Sequence, residues 1–226
     1  MYLARDCRKN RQCCLKIEKD DCPDKVLWRE RKILMHLNHK KMAGIPKYYR
    51  SGKNGSSDLI CIEALGPSIK DLLTFCGGSF TAKTTLMLGK QMLKRLEDLH
   101  SNSIVHQDLK PGNTTIGLGA NTSQIYLIDF GISELFENPN TRSHCPPRRV
   151  EYFTGTLRYA SINAHKLKSQ SRRDDLESLA YLLLHTCREG GLTWCPSRHS
   201  RKRILKKKQL EDEDSLCTGN VPKQLG

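Results

Sequence analysis

The residues most suited to chemistry form an ordered set along the chain. In order, these residues are Lys16, Glu30, Asp108, Lys110, Asn113 and Asp129. Phosphoryl transfer asks little covalent chemistry of a protein but demands strict positioning and charge neutralisation, which lysine, carboxylate and amide groups supply. Each residue alone is weak evidence, but their types and order together predict a phosphoryl-transfer site.

Two pairs in this set are suited to a nucleotide and its metal ion. Lys16 lies in a predicted strand and can pair with the α- and β-phosphates, held straight by Glu30 on the next helix. Asn113 and Asp129, the latter opening the tripeptide DFG, offer the hard oxygen ligands that Mg²⁺ prefers. The alternatives are an ordinary surface lysine at position 16 and a simple turn at Asp129, and the ordered set argues against both.

The stretch VHQDLKPGN, residues 105–113, reads as the loop where transfer takes place. Asp108 can orient a substrate hydroxyl and accept its proton. Lys110 can neutralise the charge of the migrating phosphoryl group. His106 is expected to be a hydrogen-bonding core residue rather than an acid or base.

Hydrophobic periodicity indicates the elements that position these residues. Strands are predicted at residues 2–6, 12–19, 47–50, 58–65 and 125–130, and helices at residues 26–37, 81–100 and 171–187. The apolar residues of the second helix expected to face a core are Leu86, Leu88, Met92, Leu93, Leu96 and Leu99. The third helix begins with the capping residue Ser171 and is apolar on nearly all sides from Leu179, so it should be central and buried. A strand-rich part followed by a larger helical part is therefore expected, with the boundary near residues 63–68.

Composition limits the class of protein. No stretch approaches the length of a membrane span, and the charged start MYLARDCRKN lacks the apolar region of a secretory signal. The ten cysteines are scattered, which favours reduced thiols in a cytoplasmic or nuclear monomer over a disulfide framework. Membrane association is not expected.

The net charge of +14 is compatible with nucleic acid, anionic lipid or acidic protein as a partner. With only 6% aromatic residues there is little for bases to stack on, so a nucleic-acid partner is not favoured. The most basic segment, RHSRKRILKKK at residues 198–208, could be a nuclear-import signal or the solvated face of a helix. The helix face is the favoured interpretation.

Four stretches carry a resemblance to a known family: IEALGPSIKDL, VHQDLKPGN, IYLIDFG and TGTLRYASINAHKLKSQSRRDDLESLAYLL. They resemble the eukaryotic protein kinases, and specifically the casein kinase I group, in which S-I-N stands where most kinases have A-P-E. The resemblance runs from Tyr2 almost to the end and is weakest between Trp194 and Gly226. It implies an α+β, bilobal protein-kinase-like fold, with a small β-rich N-lobe at residues 1–66 and a larger, mainly α-helical C-lobe at residues 67–226. It further implies ATP and Mg²⁺ as cofactors, and transfer to Ser or Thr of acidic or already phosphorylated proteins.

The resemblance also assigns roles around the nucleotide and the substrate. Glu63 and Leu65 would lie in the hinge that meets adenine, and Ile62 would guard the pocket behind it. Thr156 would brace the catalytic loop from the substrate side. Asp175 would anchor the backbone of that loop from the central helix. Arg158 matches an arginine that holds anionic substrates through charge-assisted hydrogen bonds, although a structural ion pair is an alternative for it.

Two departures concern the ends of the sequence. The family's first strand and its glycine-rich loop over ATP should precede Tyr2, so weaker nucleotide binding is expected without those N–H donors. The stretch CTGNVPKQLG resembles the entry to the family's next helix, so the final helices are also missing and core-facing surfaces are expected to be exposed. A fragment, a shortened gene model and a degenerate copy all remain open. The competing hypothesis for function is a catalytically impaired pseudokinase that acts as a binding or scaffold protein.

A third departure lies inside the loop. Gln107 replaces the arginine that binds an anion beside the activation segment in most kinases, and the family's two partner lysines align with Glu134 and Glu151. Two carboxylates would repel the anion that three cations attract. We therefore predict that no bound phosphate switches this segment, with Arg148 and Arg149 as alternative partners for the two glutamates.

Overall fold

A computed structural model describes residues 1–18, 26–194 and 200–211. Its strands are β1 (Tyr2–Asp6), β2 (Arg11–Ile17), β3 (Tyr48–Asn54), β4 (Ser57–Glu63), β5 (Ile104–Val105), β6 (Thr114–Ile116), β7 (Ile125–Leu127) and β8 (Glu134–Leu135). Its α-helices are α1 (Val26–His39), α2 (Ile69–Phe75), α3 (Ala82–Ser101), α4 (Ile162–His165), α5 (Arg172–Cys187) and α6 (Arg201–Leu210).

The first four strands form one antiparallel sheet in the order β1-β2-β4-β3. Lys16 of β2 pairs with Ile60 of β4, and because side chains alternate across a strand, their side chains share one face of the sheet. Helix α1 buries Leu27, Glu30 and Leu34, whose spacing of three and four residues places them on one helical face. Glu30 is therefore directed inward together with the apolar residues of α1.

Helix α3 confirms the predicted helix but corrects part of its predicted core face. Leu88, Met92, Leu96 and Leu99 are buried, and their spacing of four, four and three residues follows one side of a helix. Leu86 and Leu93 were wrongly placed in the core. They are 42% and 51% exposed, because two and five residues from Leu88 correspond to rotations of roughly 200° and 140° away from the buried stripe.

Helix α5 is buried as the sequence predicts. Ser171 and Asp174 form a capping box at its start, and the helix packs against α3. The residues of α5 that are buried are Asp174, Asp175, Ser178, Leu179, Tyr181, Leu182, Leu183, Leu184, Thr186 and Cys187. Burial of the two carboxylates in the first turn, Asp174 and Asp175, is not expected from packing alone. Both accept hydrogen bonds from neighbouring loops.

Helix α6 confirms that the basic segment forms a helix and corrects the expected exposure of one of its lysines. Most of its basic residues are exposed or half-buried, but Lys208 is buried and donates a hydrogen bond to the Ala160 carbonyl at 2.5 Å. Its ammonium lies 4.1 Å from the Tyr181 ring centroid and 5.3 Å from that of Trp194. Residues 198 and 199 of the segment lie outside the described ranges.

Two further observations concern cysteines and membranes. The seven cysteines within the described ranges are free thiols, whereas Cys22, Cys195 and Cys217 fall outside those ranges. Among the helices that the structure describes, none combines the length and the apolar character needed to cross a membrane.

Candidate active site

A cleft of about 460 Å³ opens between the four-stranded sheet and the loops that follow β5 and β7. Its volume lies within the usual range for small-molecule sites. Seven of the residues predicted from the sequence line it: Lys16, Glu30, Ile62, Glu63, Leu65, Asn113 and Asp129. The fold thus brings together residues that are up to 113 positions apart in the chain.

Lys16 is held between two carboxylates on the sheet side of the cleft. Its Nζ atom lies 2.6 Å from Glu30 Oε2 and 2.7 Å from Asp129 Oδ1. Burial by itself would lower the pKa of the Lys16 ammonium, but Glu30 and Asp129 offset this and raise that pKa above its ordinary value. Lys16 is therefore a fixed positive charge at neutral pH.

The two carboxylates respond differently to the same lysine. Burial raises the pKa of Glu30, which is only 2% exposed, and the attraction of Lys16 compensates only in part. Burial also acts on Asp129, but its side chain is 42% exposed, and Lys16 together with His106 and Lys110 lowers its pKa overall. Asp129 is thus the carboxylate that is kept ionised and turned toward the open cleft.

The backbone at Asp129 explains why the predicted strand at 125–130 is shorter than expected. Strand β7 ends at Leu127, and the Ile128 amide bonds to the Asn113 carbonyl at 3.0 Å. Asp129 then adopts φ +70°, a left-handed conformation that is costly for a residue other than glycine and concentrates at functional sites. The turn directs its carboxylate toward Lys16 rather than into a sheet.

A second cluster surrounds Asp108, on the same loop as Asn113, which lines the cleft. Lys110 Nζ lies 2.5 Å from Asp108 Oδ2, and Thr156 Oγ1 donates to Asp108 Oδ1 at 2.6 Å. Lys110 also donates to Thr156 Oγ1 at 3.1 Å. The Asn113 amide nitrogen donates to Asp108 Oδ2 and to its backbone carbonyl, each at 3.0 Å. Both carboxylate oxygens of Asp108 are therefore oriented by specific donors.

The backbone of the loop that carries Asp108 is hydrogen-bonded to the buried carboxylate of Asp175. One oxygen accepts the His106 amide at 2.8 Å and the other accepts the Gln107 amide at 2.9 Å. His100 Nε2 lies 2.9 Å from the first of these oxygens. His106 is fully buried, contacts the Ile128 carbonyl through Nε2 at 3.2 Å and packs on Phe130, as expected of a core residue.

The side chain of Gln107 enters a small polar network. Its amide nitrogen donates to Glu134 Oε2 at 3.3 Å, and its amide oxygen accepts a bond of 3.3 Å from Gln170 Nε2. Gln170 also donates to the Thr154 carbonyl at 3.3 Å, two residues before Thr156. The prediction that Glu134 lies beside Gln107 is thus confirmed, and Gln170 is a member of the network that no sequence signal identified.

The other predicted participants are placed differently. The predicted partner Glu151 is exposed on the surface, and it is not among the residues that line the space beside Gln107. Among the described residues no ion pair joins Glu134 or Glu151 to Arg148 or Arg149. The backbone of Arg148 instead donates to Ser169 Oγ at 3.0 Å, because this segment runs alongside residues 167–169.

A groove of about 960 Å³ lies on the far side of Lys110 and Thr156. Arg158, Lys70 and His185 also line it. Burial and the nearby Arg158 lower the pKa of His185, so this imidazole is neutral at pH 7 and leaves the charge to the lysines and the arginine. Gly155 has φ +104°, and a Cβ there would lie 2.6 Å from the Gln107 carbonyl, so only glycine allows Thr156 this close to the catalytic loop.

A lysine–glutamate ion pair, together with a loop that carries an acid, a lysine and an amide, is the organisation of a phosphoryl-transferring enzyme. Comparison with protein families gives the same class: residues 1–215 match the family described as the protein kinase domain. The match covers most of the 226 residues, so the chain belongs to the protein kinase family. Its α+β content, with an antiparallel sheet and several helices, agrees with that family.

Proposed function

We propose that this protein kinase is a serine/threonine kinase of casein kinase I type, which transfers the γ-phosphate of ATP to acidic or already phosphorylated proteins. The observation that carries the proposal is the connection of two clusters through Asn113, which lines the cleft and donates to Asp108. Lys16 with Glu30 and Asp129 supplies the phosphate side, and Asp108 with Lys110 supplies the hydroxyl side. The finer assignment to casein kinase I type rests on the S-I-N stretch at residues 161–163 and the segments around it.

ATP and Mg²⁺ suit the residues that line the cleft. Lys16 provides a fixed cation for phosphate oxygens, while Ile62, Glu63 and Leu65 line the cleft where an adenine ring would bind. Asp129 offers a carboxylate, and Asn113 offers an amide oxygen that its bonds to Asp108 leave free. When bound, ATP would supply the phosphoryl group and Mg²⁺ would neutralise part of its charge.

The chain's own residues would then orient and deprotonate the acceptor. Asp108 accepts the proton of the substrate hydroxyl at one of its carboxylate oxygens, which Thr156 and Lys110 hold in place. Lys110 places its positive charge next to the same reacting oxygen. Asp175 keeps this loop in register by binding the two amides before Asp108.

The preference for acidic substrates is supported by the charge of the groove beside Thr156. Lys70 and Arg158 contribute cations there, beside Lys110, which is paired with Asp108, and His185 is the neutral member of the set. Arginine binds phosphate and carboxylate oxygens through charge-assisted hydrogen bonds. An acidic or phosphorylated residue near the acceptor hydroxyl would therefore be favoured by this surface.

The test is transfer of labelled phosphate from ATP to casein and to glutamate-rich peptides that offer Ser, Thr or Tyr. We expect phosphoserine and phosphothreonine but no phosphotyrosine, and a loss of at least about 100-fold in Asp129→Asn. Asp58→Asn, a change of an exposed residue of β4, is the matched control and should remain active. Saturable ATP binding without transfer in the unmodified chain would instead support the binding or scaffold protein.

A further inference from the structure

A second large concavity lies away from the cleft, on the opposite side of the segment that follows Asp129. It has a volume of about 770 Å³ and is lined by one face of α1, by the end of α3 and by residues of the segment 133–148. None of the predicted catalytic or nucleotide-binding residues lines it. We call it the α1 groove.

The charge of the α1 groove is strongly positive. The basic residues along it are Arg29, Lys32, His36, Lys40, Arg142 and Arg148, against two glutamates, Glu134 and Glu137. Both glutamates are already engaged: Glu137 pairs with Arg142 at 3.4 Å and accepts from Ser103 Oγ at 2.8 Å, and Glu134 accepts from Gln107. The groove therefore contains more positive charge than its own carboxylates neutralise.

Basic side chains form a row along α1 and the residue that follows it. Lys32 and His36 lie on α1 four residues apart, and Lys40 directly follows its end, where its amide still donates to the His36 carbonyl at 3.0 Å. The three side chains are exposed and lie along one side. Across residues 1–18, 26–194 and 200–211, no ion pair joins Arg29, Lys32, Lys40 or Arg148 to a carboxylate. Lys32 instead has its Nζ 3.7 Å from the Trp28 ring centroid.

Two exposed apolar side chains line the same groove. Trp28 is 51% exposed and Leu135 is 50% exposed. Aromatic residues in a concave site commonly anchor a protein partner, while surrounding charges select it. A row of cations with apolar anchors is complementary to a peptide that combines carboxylates with leucine-like residues.

We propose that the α1 groove is a docking site for an acidic, leucine-containing segment of a partner protein, separate from the site of phosphoryl transfer. The segment would place its carboxylates along Lys32, His36 and Lys40 and its apolar side chains against Trp28 and Leu135. It would contact the helix that carries Glu30 and the segment that follows Asp129. A segment bound in the groove would therefore contact the two elements that carry Glu30 and Asp129, the carboxylates that hold Lys16.

The chain provides its own probe for this site. It contains two tryptophans, of which Trp194 is fully buried and Trp28 lies half-exposed in the groove. Fluorescence of the full chain is titrated with a short peptide of glutamate, aspartate and leucine that contains no Ser, Thr or Tyr. We expect a saturable change that disappears in Trp28→Phe, and no change with the peptide whose acids are replaced by glutamine and asparagine.

Charge reversal locates the binding site. The double variant Lys32→Glu/Lys40→Glu should weaken the peptide at least about tenfold, a loss of about 1.4 kcal/mol. Lys83→Glu/Lys90→Glu changes the net charge equally at exposed positions of α3 and should bind as the unmodified chain does. The peptide should still bind to Asp129→Asn, which lacks phosphate transfer. Failure of the kinase assay can therefore be distinguished from failure of peptide docking.

Four outcomes would overturn the proposal. Equal weakening by the two double variants would mean diffuse electrostatic attraction, and equal binding of the neutral peptide would mean apolar contact alone. An equal Trp28 response to phosphatidylserine vesicles or duplex DNA, lost with Lys32→Glu/Lys40→Glu, would assign the groove to a membrane or a nucleic acid. A tenfold gain in affinity on changing Asp20, Asp21 and Asp24 to asparagine would assign it to this chain's own acidic stretch before α1.

Discussion

The sheet side and the loop side of the candidate active site are supported by different physical means. On the sheet side, Lys16 is fixed by opposite charges, at 2.6 Å from Glu30 and 2.7 Å from Asp129. On the loop side, Lys110 also pairs with a carboxylate, at 2.5 Å from Asp108, but the backbone of its loop is hydrogen-bonded to the buried Asp175. The sheet side therefore depends on a balance between burial and Coulomb attraction, whereas the loop side depends on satisfied buried donors. Substitutions on the two sides should consequently affect different measured quantities.

Removing the carboxylate that supports the loop should have the largest effect. In Asp175→Ala the buried amides of His106 and Gln107 lose their acceptor. Each orphaned donor costs roughly 1–3 kcal/mol, so we expect the free energy of unfolding to fall by about 3 kcal/mol. Urea denaturation followed by circular dichroism measures this, and phosphate transfer should be lost as well. Asp58→Ala, at an exposed aspartate, is the control and should leave both quantities within experimental error.

If Asp175→Ala kept both its stability and its activity, the loop would not depend on this buried anchor. The contrast between the two sides of the cleft would then be wrong. A loss of activity at full stability would sharpen the contrast instead, since it would show that Asp175 positions Asp108 without stabilising the fold.

Glu30→Gln on the sheet side should change nucleotide affinity more than stability. Lys16 keeps Asp129 as a partner, and the substitution removes a carboxylate whose pKa burial has already raised. We expect the free energy of unfolding to change by less than about 1 kcal/mol, which is small for one partner of a buried ion pair because the second partner remains. The Kd for ATP should rise about tenfold, equivalent to about 1.4 kcal/mol, as measured by isothermal titration calorimetry.

Glu97→Gln is the matched control, because Glu97 is 67% exposed in an ion pair on α3 far along the chain from Lys16. Its Kd for ATP should equal that of the unmodified chain. If Glu30→Gln lowered the free energy of unfolding by several kcal/mol and left the ATP affinity unchanged, Glu30 would act on stability and not on nucleotide binding, contrary to the prediction.

The sequence was most informative where a local pattern dictates a local structure. The capping residue Ser171 predicts the start of α5, and the apolar run of this helix predicts that it is buried. The ordered set predicted a phosphoryl-transfer site, because lysine, carboxylate and amide groups in that order suit such a site better than they suit an apolar core. The members of the set that line the cleft are Lys16, Glu30, Asn113 and Asp129. The buried face of α3 was harder to predict, because Leu86 and Leu93 are apolar yet lie outside the buried stripe.

The sequence could not show contacts that depend on tertiary packing between distant loops. Gln170 has no motif around it, and it reaches Gln107 only because the segment before α5 folds back beneath the catalytic loop. Lys208 likewise reads as one of many surface lysines, and its burial over Tyr181 and Trp194 requires the packed position of α6. In both cases a polar residue contacts residues that are distant in the sequence, and no sequence spacing predicts such contacts.

Substitution of Gln107 should have the smallest effect on activity, although it lies beside Asp108. In Gln107→Arg the new guanidinium is expected to pair with Glu134, which already accepts the Gln107 amide, so activity should change by no more than about threefold. Inorganic phosphate should not stabilise this variant more than the unmodified chain. In Gln107→Arg/Glu134→Lys, by contrast, two cations replace an amide and a carboxylate, and phosphate should raise the melting temperature relative to chloride at the same ionic strength. A phosphate-dependent stabilisation of the unmodified chain that Gln107→Ala abolishes would contradict the prediction. It would show that the polar network of Gln107, Glu134 and Gln170 binds an anion instead of excluding one.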